Sequence, residues 1–128
     1  MGGVRKAGRP RCYVLVGQTP VEEPDLLAWA KWYGELDHRV VSQTEIGTKL
    51  VSTVFLGIDH QFRFDGPPIL FETMVFGPKE EKELLGRMRP VREEEYCERC
   101  STWLEAEAMH QRAIKWAKEH MYESRRSG

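Results

Sequence analysis

No apolar stretch in this chain approaches the roughly 20 residues that a bilayer-spanning helix requires, which excludes a helical membrane anchor in the sequence read here. Cysteine is scarce: Cys12, Cys97 and Cys100 are too few, and odd in number, for the disulfide framework of a small secreted domain. Charge of one sign is not in excess. The 19 basic residues face 20 acidic ones for a net charge of −1, whereas a generic nucleic-acid-binding domain is strongly basic, so a nucleic-acid partner is not expected. GxGxxG, GxxxxGK[ST] and GxSxG are all missing, so dinucleotide, phosphate-loop and nucleophile-elbow chemistry have no local support. The sequence also has no HxH or HExxH spacing, no internal repeat and no long linker.

What remains is an ordinary globular composition, 41% hydrophobic and 30% charged over 128 residues. That length supports one domain around one core. The expected domain covers 12–123. It follows a basic arm over 1–11, with Arg5, Lys6, Arg9 and Arg11, and precedes a polar tail over 124–128. The arm has no apolar h-region, and Lys6 replaces the Ser or Thr of a myristoylation signal. The expectation is a soluble cytoplasmic protein.

Arg11 to Val16 reads as a short strand closed by Gly17, followed by the polar connector QTPVEEP. In DLLAWAKWYGEL, Leu26, Trp29, Ala30 and Tyr33 recur at i, i+3, i+4 and i+7. This is one helical face, bounded by Pro24-Asp25 and Gly34. His38–Ile46 and Leu50–Ile58 read as strands of a hairpin turning at Gly47-Thr48-Lys49, because β-branched and aromatic residues dominate them. Asp59–Pro68 is a loop, Ile69–Phe76 the clearest strand, and Gly77-Pro78 its end. Pro78–Arg92 suits either a short helix up to Gly86 or an extended excursion, and Glu93–Cys100 brings a last strand or edge. Thr102 and Glu105 form a capping box opening a helix to about Tyr122. The fold class is therefore α+β, with an antiparallel sheet of four to five strands and two main helices packed on it. The two strongest strands are apolar on both faces, which suits either a well-covered monomer or a homodimer.

His110 lies within the stripe Trp103, Ala106, Ala113, Ile114, Ala117 and Met121, and so faces the sheet or a cavity beneath it. It is either a ligand contact or base in a pocket, or a hydrogen-bonded core histidine. Glu72 sits mid-strand between Leu70 and Met74, where a carboxylate is costly unless paired or at an edge. A pocket shared with His110 would divide acid and base roles. Asp59-His60, where a strand meets a loop, is either a rim of binding residues or a turn. His60 with His110 or Glu72 supplies N/O metal ligands. Cys97-x-x-Cys100 ahead of a helix is a half-site for zinc, a redox pair, or two incidental thiols. Trp32 and Trp116 fall off the helical stripes, to cover a loop or stack on a ligand or partner.

The strings VSTVFLGIDHQF, GPPILFETMVFG and STWLEAEAMH, with PDLLAWAKWYG and HRVVSQTEIG upstream, resemble a group of small uncharacterised proteins from tailed phages and prophages. The resemblance runs from about Tyr13 to Ile114. The Lys79–Arg99 region is longer here, and Met109 stands where the group has Gly. The resemblance implies a phage or prophage setting, in the cytoplasm of an infected or lysogenic host, and no reaction. The expected function is a non-enzymatic accessory protein that engages a host protein or small ligand and interferes with host regulation or defence. The competing reading is a small metal-dependent or acid/base hydrolase using Asp59, His60, Glu72 and His110. It requires at least three of these to converge. No cofactor is expected under the first reading, and zinc at Cys97 and Cys100 is the alternative.

Overall fold

A computed structural model describes residues 11–61 and 66–121. Apart from Arg11, the basic arm lies outside the described residues, as does the 124–128 tail. The architecture is antiparallel α+β. Strands β3 (Val40–Ile46), β4 (Lys49–Phe55), β5 (Phe71–Phe76) and β8 (Glu94–Cys100) form a four-stranded sheet in the order β3-β4-β5-β8. Helix α2 (Trp103–Glu119) lies across it and touches all four strands. Two further hairpins stand apart, β1 (Tyr13–Val16) with β2 (Thr19–Glu22), and β6 (Glu80–Leu84) with β7 (Arg87–Val91).

Local chemistry explains the boundaries. Asp25 Oδ1 accepts hydrogen bonds from the Leu27 and Ala28 amides and starts α1 (Leu26–Tyr33), satisfying amides that have no partner in the first turn. The Thr102 hydroxyl accepts from the Glu105 amide at 3.1 Å, while Glu105 accepts from the Thr102 amide at 3.0 Å. This is the expected capping box. Helix α2 is continuous to Glu119, where His120 leaves helical dihedrals; the expected end at Tyr122 lies outside the described residues. Val40–Ile46 and Lys49–Phe55 form the expected hairpin, but its turn is Gly47-Thr48, and Lys49 already pairs with Ile46.

Two segments add strands to the sequence reading. The connector QTPVEEP contains β2, which pairs with β1 in register Val14↔Val21. The stretch Pro78–Arg92 takes the extended of its two expected alternatives, not the helix, and pairs with itself as the β6–β7 hairpin, turning at Leu85 (φ 51°) and Gly86 (φ 77°). Two successive left-handed residues match the right-handed twist of hairpin strands. Charge hid its alternation, since both faces of an exposed hairpin are polar.

α1 contributes no fully buried residue and packs on β1 rather than across the sheet. Trp29 Nε1 donates to the Tyr13 and Gly57 carbonyls at 3.0 and 3.1 Å. Gly57 has a φ of 76°, and a Cβ there would lie 2.7 Å from the Tyr33 ring, so the helix docks only on a glycine. An aromatic series from Trp32 through Phe55 and Phe71 to Trp103 joins α1 to the start of α2, with centroids 5.3–6.2 Å apart. Trp32 also stacks on His38, and Trp116 on His120, so both off-stripe tryptophans are engaged within the fold.

The register assigns the sheet's two faces. Ser42, Thr44, Val51, Thr53, Phe55, Phe71, Thr73, Val75, Tyr96 and Cys100 share the face beneath α2. Every residue that β4, β5 and β8 contribute to the two core clusters lies there. The opposite face carries Leu50, Val54, Met74 and Phe76 on the two central strands, with Ser52, Glu72, Cys97 and Arg99. No core cluster of the described residues forms on it.

Candidate functional site

The face beneath α2 holds a polar network inside the core. His110 is 3% exposed. Thr53 and Thr73 face each other across β4 and β5, both fully buried and hydrogen-bonded through their hydroxyls. The His110 ring joins them, with Nδ1 2.7 Å from Thr53 Oγ1 and Nε2 2.9 Å from Thr44 Oγ1 on β3. A neutral ring donates through one nitrogen and accepts at the other, and either hydroxyl can complement it. Burial pushes the His110 pKa down from its ordinary value, because the charged ring would lose its hydration. A buried group without a partner costs about 1–3 kcal/mol, so this four-residue chain is stable only because each member satisfies the next.

Next to it, β3 and the first turns of α2 enclose a cleft of about 160 Å³ lined by Val41, Ser42, Trp103, Glu107, His110 and Gln111. The four helical residues fall at i, i+4, i+7 and i+8, on one side of α2. A bulge interrupts the β3–β4 ladder between Val40 and Ser42, at the wall of this cleft. Glu107 and Gln111 are exposed at its rim, and His110 is buried at its base. The buried Trp103 Nε1 has no hydrogen-bond partner among the described residues.

Glu72 belongs to the other face. Arg99 Nε donates to Glu72 Oε2 at 2.7 Å, and Cys97 Sγ approaches the same oxygen at 3.7 Å. This pairing explains a carboxylate in mid-strand, 8% exposed. Because the Arg99 side chain is 45% exposed, the ion pair contributes at most about 1 kcal/mol. Glu72 and His110 therefore lie on opposite sides of the sheet, and no pocket joins them.

Asp59 and His60 fasten the loop after β4. Asp59 Oδ1 accepts from the Gln61 and Ile69 amides at 2.7 and 2.9 Å. His60 Nδ1 donates to the Ile58 carbonyl at 2.8 Å, and its amide to the Ile69 carbonyl. These hydrogen bonds to backbone groups are those of a structural turn. Cys97 and Cys100 both lie on β8, three residues apart, with Cys97 opposite Met74 on the open face and Cys100 opposite Phe71 beneath α2. Side chains at odd separation in a strand point oppositely, and the Cα atoms are about 10 Å apart, too far for a disulfide. The strand running through both residues thus turns the two thiols to opposite faces of the sheet. Burial holds both thiols above their ordinary range, Cys100 up to about 11, so neither is an activated thiolate. Among the described residues, no three His, Cys, Asp or Glu side chains gather as a metal set.

Sequence reasoning missed Thr44, Thr53 and Thr73, which read as ordinary strand residues, and Lys49, which read as part of a turn. Lys49 is 1% exposed, with Nζ donating to Glu95 at 2.6 Å and to the His120 carbonyl at 3.2 Å. It thereby caps the last turn of α2, where carbonyls and the helix dipole favour a cation. The three threonines alternate with apolar residues on one face of adjacent strands, a pattern visible only once the register is known.

No protein-family model matches this chain, and neither a curated protein nor a solved structure matches it.

Proposed function

We propose that this chain is an accessory binding protein of the phage and prophage type, acting in the host cytoplasm and engaging a host protein through the open face of its sheet. The observation that carries this reading is the sheet face turned away from α2, whose apolar residues are half-buried. Leu50, Val54, Met74 and Phe76 sit on central strands, yet α2 and both core clusters occupy the other side. Apolar residues on both faces of a strand call for cover on both, and these four keep part of their surface accessible while no core cluster of the described residues packs on them. Their polar rim is the Glu72–Arg99 pair, Gln43 and Glu94. The phage setting comes from the motif resemblance and supplies the kind of partner. The hydrolase reading has less support, because Glu72 is separated from His110 by the sheet.

The test is site-specific photo-crosslinking of the full chain in host cells. A photoreactive phenylalanine analogue replaces Met74 on the open face or, as a control, the exposed Lys115 on α2. The expected result is a discrete adduct from position 74 that position 115 does not give. An adduct of twice the chain's mass would assign the face to a homodimer instead. Equal or absent labelling from the two positions would remove the open face from consideration.

A further inference from the structure

We propose that the outer edge of β3 and the cleft beside it form a second binding site, for an extended peptide segment that adds to the sheet as a strand and seats a Lys or Arg side chain in the cleft. This site lies at the margin of the sheet and does not rest on the role of the open face. β3 ends the order β3-β4-β5-β8, so one of its sides has no neighbouring strand among the described residues. The turn Gly47-Thr48 closes on the pair Ile46↔Lys49, and hydrogen-bonded pairs then alternate along the ladder. The Phe55 amide, donating to the Arg39 carbonyl at 2.7 Å, keeps the same phase: odd-numbered residues of β4 bond towards β3. Their partners are Ser42, Thr44 and Ile46, which leaves the N–H and C=O groups of Gln43 and Glu45 pointing away from the sheet. Such a row is a template for another strand, and edges are ordinarily blunted by charge. β8, at the other end of the sheet, carries Glu94, Glu95, Glu98 and Arg99. β3 carries Glu45 alone, and its pairing is regular from Ser42 to Ile46.

The cleft specifies the segment. It is lined by residues of β3 and α2 only, so it opens at this same margin. A strand added there sends every second side chain to the α2 side. The space of about 160 Å³ takes one long side chain, well below the roughly 300–1,000 Å³ of a site for drug-sized ligands. Val41 and Trp103 offer apolar surface to its stem, and Glu107 is the single charged residue of the lining. Glu107 and Glu45 are both exposed, and neither forms an ion pair with a described residue. Both carboxylates of this margin are therefore open to a cation, whereas an acidic side chain would meet repulsion. Leu104, 77% exposed, shares the flank of α2 with Glu107 and Gln111 at i, i+3 and i+7, and adds apolar surface beside the cleft. Main-chain hydrogen bonds to Gln43 and Glu45 supply the affinity, and the cleft with Glu107 supplies the choice of side chain.

The experiment is a ¹H–¹⁵N correlation titration of the full chain with amide hydrogen exchange. The probe is the synthetic peptide acetyl-Thr-Val-Thr-Arg-Thr-Val-Thr-amide. One control peptide has Glu in place of Arg, and a second is N-methylated at every residue and so has no donors for a ladder. The expected result with the Arg peptide is saturable movement of the Gln43 and Glu45 amide signals and slowed exchange at both, with no binding of the N-methylated peptide. The Glu peptide, and the exposed-site variant Glu107→Lys with the Arg peptide, should each bind about fivefold or more weakly, the variant's other resonances staying in place. Gln43 and Glu45 amides that still exchange fast with the Arg peptide at millimolar concentration overturn the proposal. So does equal affinity for either control peptide, or undiminished affinity in Glu107→Lys. Slow exchange at both amides in the peptide-free chain, growing with protein concentration, would assign the edge to a second copy and overturn it as well.

Discussion

At the scale of single residues, His110 carries the most information. Its folded-state pKa is depressed by burial below the ordinary 6.5, so the unfolded chain binds the proton more readily. The stability this contributes is complete above that ordinary value. It declines as pH falls beneath 6.5 until the folded value is reached. Thermal midpoints should therefore fall as pH drops below about 6.5, and His110→Gln should flatten that slope while lowering stability at neutral pH by about 1–3 kcal/mol. Equal slopes in both proteins would show that the ring does not titrate on unfolding. Glu98 acts in a lower window: Arg112 holds its pKa below the ordinary 4.5, so its contribution is present above that value and lost as pH falls through the depressed one. The position of His110 on the buried stripe was legible from spacing alone. Its threonine partners were not, because they lie 57 and 66 residues away in sequence. The thiols carry a second expectation. With Cys97 and Cys100 on opposite faces of β8 and both pKa values raised, oxidation of the chain should produce no intrachain disulfide between them, checked by non-reducing peptide mapping.

At the scale of elements, helix starts were the most readable features, because caps are local. Asp25 and the Thr102–Glu105 box perform their expected roles. Thr102→Ala should cost about 1 kcal/mol and lower the midpoint by about 3–6 °C, read by thermal circular dichroism. The β6–β7 hairpin illustrates the reverse case. Leu85 is fully exposed and has a positive φ, which costs a non-glycine residue about 1–2 kcal/mol. Leu85→Asn suits such a turn, so it should slow amide exchange in Glu80–Val91. Unchanged or faster exchange there would contradict the turn geometry. Sequence reading left a helix open beside the extended alternative here because eleven consecutive positions, 80–90, are exposed, and without a buried face the charges leave no period of two.

At the scale of the whole molecule, stability resides between α2 and one face of the sheet. Phe55 is fully buried in contact with Trp32 and Phe71, and Phe55→Ala should cost about 3–5 kcal/mol. Replacing residues 79–91 by an Asn-Gly turn should shift the midpoint by only a few degrees, since no core cluster includes that hairpin. A large loss in differential scanning calorimetry would mean that the hairpin supports the sheet. No helix of the described residues is long and apolar enough to cross a membrane.

The sequence alone determined whatever depends on neighbours within a few residues: the α+β class, the caps, the central hairpin, and the stripe that points His110 inward. Tertiary structure decided which candidates meet. A strand's side chains alternate with a period of two, so register alone determines the face on which Glu72, Cys97 or Cys100 lies. That long-range pairing separated Glu72 from His110 and Cys97 from Cys100, placed Lys49 beneath the end of α2, and brought Ser42 opposite Trp103 and Glu107.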